Sequence, residues 1–286
     1  MEAVARPAAA GRATWRPMVP REHGAWAMLL IPLVVSLAVA GRWALEGPLF
    51  LGTCLALYTA RQPLTVLVRS LRTPGDQGTT RPVFWLVMYA VAALAFGLPL
   101  LYYYQRWLLL PWAAIFMAFT AVHFYLQKQR RDRTIPGEII TIAGLALTAP
   151  GAYYVTRGLE PAALYLWGLT SLYSISSVFY VRFKMKQRAL RRPAKDLRER
   201  LALGRANLVY QAILVLALLV AAAWGQIPPF VPLAFAPLVV KVAYAVASGG
   251  PQVDIKKIGW TEVAHSVAFT FLLVGAYLAG PPAYQL

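Results

Sequence analysis

The sequence contains few cysteine, histidine and acidic residues. Its 286 residues include one cysteine, three histidines and 11 Asp plus Glu. A single cysteine, Cys54, excludes a disulfide within the chain, and no Cys/His spacing typical of a zinc finger is present. The chain also lacks HExxH, GxSxG, P-loop and dinucleotide-binding patterns. The sequence therefore identifies no cofactor, assigns no metal site, and shows none of the common motifs of hydrolases or nucleotide enzymes.

Charged residues make up only 14% of the chain, and hydrophobic residues make up 59%. Soluble domains usually contain about 45–50% apolar residues, and a transmembrane helix needs about 20 of them in a row. No alternation typical of a β-barrel is present, so the spans are predicted to be helices. The expected fold is an all-α polytopic membrane protein with nine transmembrane helices, near 25–40, 48–67, 83–101, 107–126, 137–156, 161–181, 206–224, 227–247 and 262–279.

The positive charges lie mainly in alternate loops. The net charge of +17 alone would be compatible with nucleic acid binding. However, 24 of the 28 Lys and Arg fall in the N-terminal tail and every second loop, whereas the other loops hold only Arg42, Arg106 and Arg157. This positive-inside pattern predicts a cell-membrane protein with a cytoplasmic N-terminus, an outside C-terminus and no nucleic acid partner.

One membrane domain is expected to form most of the chain. Residues 1–20 are predicted to be a disordered cytoplasmic tail, followed by the membrane domain at 21–286 with cytoplasmic loops 68–82 and 182–205. Within the second loop, "RRPAKDLRERLALG" (191–204) predicts a short amphipathic helix after Pro193, with Leu197 and Leu201 on one face. This helix could close over a site as a lid, or it could be a basic loop resting on anionic lipid.

Polar residues collect at the predicted cytoplasmic ends of the spans, although each costs about 2.5–3.5 kcal/mol at a helix centre. A second span from Pro48 that ended before Arg61 would be about 20 Å long, too short for about 30 Å of hydrocarbon. Arg61 is therefore expected inside the inner leaflet, on one stripe with Thr65 and Arg69. Further predicted groups are His123, Gln127 and Arg131; Glu138 and Thr141; Ser176, Tyr180 and Lys184; Lys241 and Tyr244; and Glu262 and His265.

Together these groups predict a polar cavity in the inner leaflet, open to the cytoplasm. Cations suit the anionic headgroup of an amphiphile, and histidines near carboxylates suit acid–base catalysis. The candidates for binding the headgroup are Arg61, Thr65, Arg69, Lys128, Glu138, Tyr180, Arg182, Lys184 and Lys241. The candidates for catalysis are Glu22, His23, His123, Glu262 and His265.

Each residue also has a structural interpretation. Lys241 could extend its stem to the headgroups, and Arg61 could form an ion pair needed only for folding. His23 and His265 could lie at wet helix ends, and Lys184 could simply set the topology. These interpretations remain open, but they do not explain why polar stripes on six helices lie at one depth.

Two stretches resemble the YwiC-like family of bacterial membrane proteins, whose function is not established. They are "PREHGAWAMLLIP" (20–32) and, more weakly, "ERLALGRANLVYQ" (199–211). A more distant resemblance is to UbiA-type intramembrane prenyltransferases, through "FYLQKQRRDRTIPGEIITIAGLALTAPGAYY" (124–154), which looks like their segment joining helices four and five. This second resemblance implies a nine-helix UbiA-like bundle with a site for a prenyl diphosphate.

The chain departs from the UbiA pattern where those enzymes bind magnesium. Their Asp-rich motifs end helices two and six, but here "RQPLTVLVRS" (61–70) and "FYVRFKMKQR" (179–188) contain no aspartate. We therefore expect binding of an isoprenoid, a lipid phosphate or a quinone-like ligand without Asp-held Mg²⁺. The alternatives are an atypical UbiA-like prenyltransferase, which leaves open whether the protein is an enzyme, and a transporter or respiratory-complex assembly factor.

Overall fold

The computed structural model describes residues 16–20, 23–42, 44–70, 79–190, 196–248 and 254–280, without the side chains of residues 23, 255 and 256. Several predicted features lie outside the described residues. They are most of the tail 1–20, Glu22, the His23 side chain, residues 71–78 of the first loop and residues 191–195 of the second.

The described residues form eleven helices and no strand, which confirms the all-α prediction. The helices are α1 (His23–Ala40), α2 (Glu46–Ser70), α3 (Thr80–Tyr102), α4 (Leu109–Lys128), α5 (Ile135–Ala146), α6 (Thr148–Arg157), α7 (Pro161–Ala189), α8 (Leu197–Ala223), α9 (Val231–Ala234), α10 (Ala236–Ser248) and α11 (Ile255–Leu278).

Six segments of the described chain are long and apolar enough to cross a membrane. They are α3, α4, α5 with α6, α7, α8 and most of α11. Two shorter apolar helices lie at Gly24–Ala40 and Ala236–Ser248. The protein is therefore a multi-pass membrane protein, while the count of nine spans and the inside N-terminus stay predictions.

Two predicted spans are interrupted near prolines. The span predicted at 137–156 breaks at Leu147, because Pro150 has no N–H to donate to the Ala146 carbonyl one turn earlier. The span predicted at 227–247 contains α9 and α10, which are separated at Phe235, two residues before Pro237. Each interruption lies close to a proline that removes a helical hydrogen bond, whereas Pro32, Pro63 and Pro99 are accommodated inside α1, α2 and α3.

The predicted separate amphipathic helix at 191–204 is wrong, because α8 runs without a break from Leu197 to Ala223. Its N-cap is Asp196, whose side chain accepts a hydrogen bond from the Glu199 N–H at 2.7 Å. A helix of 27 residues is about 40 Å long and exceeds about 30 Å of hydrocarbon. The charged first turns are therefore an extension of a long helix, on which Leu197 and Leu201 are exposed.

The chain divides into two compact units, and the smaller contains Met1–Arg21 and Gly52–Phe96. Its described tail residues are held by α3: Arg81 donates to the Arg16 carbonyl at 2.9 Å and the Tyr89 hydroxyl to the Met18 carbonyl at 3.3 Å. Gly52 packs on a ring of α3, since a Cβ there would lie 2.7 Å from Phe96.

The larger unit contains Glu22–Leu51 and Gly97–Leu286. Its centre is α6, in which every residue from Thr148 to Thr156 is buried. This helix packs against α1 and α7, and the Thr148 hydroxyl donates to the Leu29 carbonyl at 2.8 Å, near Pro32 of α1. At the other end of α1, Arg157 Nε donates to the Ala40 carbonyl at 2.6 Å and so caps the helix. The helices α7, α8, α10 and α11 of this unit carry the polar contacts described next.

Candidate functional site

A buried ion pair joins α10 to α11. Lys241 Nζ lies 2.7 Å from Glu262 Oε1, and the two side chains are only 7% and 16% exposed. The second carboxylate oxygen of Glu262 accepts a hydrogen bond from the Ser177 hydroxyl of α7. The ring of Tyr180, also on α7, lies with its centroid 4.4 Å from Lys241 Nζ. Lys241 thus points into the helix bundle, and the alternative that it reaches out to the headgroups is wrong.

A second lysine approaches the same tyrosine. Lys184 Nζ lies 5.8 Å from the Tyr180 ring centroid and 5.6 Å from that of Phe183. Lys184 is half-buried and donates to Gln187 Oε1 at 3.2 Å, but no carboxylate of the described residues pairs with it. The Tyr180 cluster, defined as Ser177, Tyr180, Lys184, Lys241 and Glu262, therefore holds two ammonium groups and one carboxylate, and its formal charge is positive.

The polar contacts of α7 and α11 continue for one turn and then end. The Tyr173 hydroxyl donates to Ser266 Oγ at 3.2 Å, one helical turn from the Ser177–Glu262 contact. On the next turn of α11, Phe269 stacks on the Tyr173 ring at 4.0 Å and meets Phe235 edge-on at 5.1 Å. The charged cluster is thus closed on this side by aromatic packing.

A second ion pair connects α5 with α7. Arg182 Nε lies 2.7 Å from Glu138 Oε2, and the two side chains are 34% and 30% exposed. Arg182 also donates to the Arg133 carbonyl, so that its guanidinium holds the connection before α5 against α7. Because Glu138 balances the charge of Arg182, this pair attracts an anion less than Lys184 does. Ion pairs this exposed contribute only about 0–1 kcal/mol of stability.

His123, a predicted catalytic residue, contacts Thr141 of α5. The ring Nδ1 is 2.8 Å from Thr141 Oγ1, and the Thr141 hydroxyl donates to the Gly137 carbonyl at 2.9 Å. His123 and Gln127 both lie in α4, as predicted, but the continuation of their stripe to Arg131 is wrong. The helix ends at Lys128, and the Arg131 N–H donates to the Leu126 carbonyl at 2.9 Å. Lys128, a predicted anion ligand, is exposed at this helix end.

Two further predicted positions, His265 and Tyr244, have other surroundings than predicted. His265 Nδ1 contacts the Thr261 carbonyl of its own helix at 2.8 Å. Tyr244, predicted as a neighbour of Lys241, is 72% exposed. Neither position makes a described contact with Lys241 or Glu262.

The arginine stripe of α2 belongs to the smaller unit. The helix continues to Ser70, so Arg61 and Thr65 both lie inside it, and the Thr65 hydroxyl donates to the Arg61 carbonyl at 2.7 Å. Arg69 is exposed in the last turn. The role of these three residues in ligand binding stays a prediction, as do the roles of Glu22 and His23.

The structure adds polar residues that sequence reasoning did not assign to the site. Ser177 and Ser266 contribute the hydroxyls that meet Glu262 and Tyr173. On α8, Asn207 and Gln211 are buried with Ser176. The spacing of four residues between Asn207 and Gln211 in an apolar helix was a readable signal, since it places two amides on one face.

The donors of the Tyr180 cluster do not suit a magnesium site. In the described parts of the chain, no three His, Cys, Asp or Glu lie together in a way that could hold a metal ion. Mg²⁺ is normally bound through carboxylates and phosphates, and the single carboxylate of the cluster already pairs with Lys241. We therefore derive no metal-assisted step at this cluster.

Comparison with known proteins identifies a YwiC-like region. Residues 19–153 match the family model of YwiC-like proteins. Over 178 residues the chain is 25% identical to the uncharacterized protein YwiC of Bacillus subtilis, covering 60% of this chain and 69% of the relative. An uncharacterized protein of Haemophilus influenzae is 25% identical over 265 residues, covering 91% and 99%. No solved structure matches the chain. The YwiC-like resemblance is confirmed, while the resemblance to UbiA-type prenyltransferases stays a prediction.

Proposed function

We propose that the protein binds the anionic headgroup of a membrane amphiphile, such as an isoprenoid or lipid phosphate, at the Tyr180 cluster. The observation that carries this proposal is that two ammonium groups, Lys184 and Lys241, approach one tyrosine ring, while the cluster contains a single carboxylate, which pairs with Lys241. The headgroup enters from the predicted cytoplasmic side, where the positive-inside pattern places Lys184, and the apolar tail lies along the helices.

An anion completes the charge balance of the cluster. Burying an unpaired charge is costly, and a protein compensates it with a partner or a ligand. Glu262 already balances Lys241, whereas Lys184 has, within the described residues, only the Gln187 amide oxygen as a hydrogen-bond acceptor. A phosphate or carboxylate accepts hydrogen bonds from ammonium groups that are shorter and stronger than those between neutral groups. Lys184 is thus the main ligand of the headgroup, and Lys241 with Tyr180 forms the wall behind it.

The test compares two probes that differ only in the headgroup. Binding of farnesyl phosphate and of farnesol is measured on the purified protein in nanodiscs of zwitterionic lipid. We expect the phosphate to bind at least about tenfold more tightly, since a hydrogen bond to a charged group contributes about 1.5–3 kcal/mol. Lys184→Gln removes this preference. Lys186→Gln, two residues along α7 and exposed, is the matched control and keeps it.

A second variant should strengthen the binding of farnesyl phosphate, whereas Lys184→Gln weakens it. Glu262→Gln removes the only negative charge of the cluster, so that Lys241 is no longer neutralised. Binding of farnesyl phosphate should therefore become tighter, while binding of farnesol stays the same. Equal affinities for the two probes in the wild type, or equal effects of Lys184→Gln and Lys186→Gln, would show that the cluster is only a structural ion network.

A further inference from the structure

Two carboxamide side chains lie in the apolar interface of α8. The helix buries Gly204, Asn207, Gln211, Leu214 and Leu218, which share one face. Asn207 is 2% exposed and Gln211 is 4% exposed. Both lie about 15–20 Å from the start of the helix at Leu197. Their burial excludes the usual explanation for polar residues near a helix end, which is contact with bulk water.

The hydrogen bonds of this carboxamide pair are incomplete. Gln211 Nε2 donates to Ser176 Oγ of α7 and, at 3.4 Å, to Asn207 Oδ1. Within the described residues, Asn207 Nδ2 and Gln211 Oε1 have no hydrogen-bond partner, although both atoms are fully buried. Buried polar atoms in proteins nearly always have a partner, and in hydrocarbon an unpaired one is especially costly.

This imbalance is the same in the two amide arrangements that keep the hydrogen bond between Asn207 and Gln211. The oxygen and nitrogen of an amide can be exchanged by a rotation of 180°. If both amides are rotated, Asn207 Nδ2 donates to Gln211 Oε1, which also accepts from Ser176, and the atoms left over are Asn207 Oδ1 and Gln211 Nε2. In either arrangement, one N–H donor and one carbonyl acceptor remain unpaired, one on each residue.

We propose that Asn207 and Gln211 form a binding site for a hydroxyl group. A hydroxyl accepts from an N–H and donates its own proton to a carbonyl, so one such group satisfies both residues at once. A phosphate cannot do this when it is fully ionised, because it has no proton to donate. An ether or a ketone also fails, since it only accepts. The hydroxyl belongs either to an isoprenoid-type alcohol or phenol that lies between the helices, or to a water molecule.

The hydroxyl site differs in its residues and chemistry from the proposed anion site, although Ser176 and Ser177 are neighbours on α7. Ser176, which anchors Gln211, precedes Tyr180 by four residues on α7, which corresponds to about 6 Å along the helix. The carboxamide pair is uncharged and lies on α8, whereas Lys241 and Glu262 lie on α10 and α11. The inference therefore stands independently of the proposed function.

The test uses a probe in which a methyl group replaces the hydroxyl proton. Binding of geranylgeraniol and of its methyl ether is measured in nanodiscs, with protein-free nanodiscs to correct for partitioning. If an alcohol fills the site, the wild type binds the alcohol at least about tenfold more tightly, which corresponds to about 1.4 kcal/mol. Gln211→Met and Asn207→Leu, which keep side-chain size, each reduce this preference to below about twofold. The control Gln226→Met, at an exposed position after α8, retains it.

A second measurement tests whether the hydroxyl group at this site belongs to a water molecule. A high-resolution experimental structure of the wild type, determined without added alcohol, should show a density peak about 2.7–3.2 Å from both unpaired amide atoms. A peak without alcohol preference assigns the site to water, and an alcohol preference that both variants lose assigns it to an amphiphile. The proposal is overturned if the wild type shows neither a preference nor a peak, or if the preference survives in a folded Gln211→Met variant.

Discussion

Replacing Lys241 by methionine should destabilise the protein far more than replacing an exposed lysine. Methionine keeps the length of the stem and its contact with the Tyr180 ring, but it leaves Glu262 with only the Ser177 hydroxyl as a described partner. Removing one member of a buried ion pair costs about 3–5 kcal/mol. Exposures of 7% and 16% place this pair near the buried limit. The exposed control Lys186→Met should cost less than about 0.5 kcal/mol.

The double variant separates a charge effect from a packing effect. Glu262→Gln alone should cost about 1–3 kcal/mol, because the amide oxygen still accepts from Lys241. The combined variant Lys241→Met/Glu262→Gln removes both charges of the pair, so neither residue remains as a buried ion without its partner. Its cost should therefore fall below the sum of the single costs by about 2–3 kcal/mol, within the range seen for residues in contact.

The assay is reversible unfolding in mixed detergent micelles, measured by the loss of helical circular dichroism. The free energy of unfolding is compared for the wild type, the two single variants, the double variant and Lys186→Met. Costs that add to within about 0.5 kcal/mol would refute the argument, because additivity is expected of residues that do not interact.

Two further predictions concern packing and orientation. Gly204→Ala should destabilise the protein by about 1–3 kcal/mol, because the new methyl group would lie 2.7 Å from Val246 Cγ2. The control Gly168→Ala, where a Cβ would meet nothing within 4 Å, should be neutral or slightly stabilising. Equal unfolding free energies for the two variants would contradict the close contact at Gly204. In a cysteine-free background, Tyr103→Cys should react with an impermeant thiol reagent in intact cells, whereas Lys186→Cys should react only after permeabilisation. The reverse pattern would show that the predicted orientation is inverted.

The helices were predictable because each one is determined mainly by the apolar character and the length of its own segment. The span-length argument placed Arg61 inside the second helix, and α2 does continue to Ser70. The break at Leu147 was missed, although Pro150 gives a local reason for it. The charged first turns of α8 were taken for a separate element, because an amphipathic pattern does not show whether the helix continues into an apolar one.

The candidate site was only partly predictable because its contacts join distant helices. Lys241 and Glu262 were both selected as polar residues at one depth, but sequence alone did not show that they pair with each other. Ser177 was missed because serine in an apolar helix commonly bonds to its own backbone. From the sequence, Lys184 could equally be a headgroup ligand or one of the positive charges that set the topology. Its position beside Tyr180 distinguishes it from the exposed Lys186.

The most direct test of the account is lipid-resolved mass spectrometry of the protein purified in mild detergent. The wild type and Lys186→Gln should both retain an anionic amphiphile in amounts comparable to the protein, while Lys184→Gln retains much less of it. Retention of zwitterionic lipids alone, or the same anionic amphiphile at the same level in all three proteins, would contradict a headgroup site at the Tyr180 cluster.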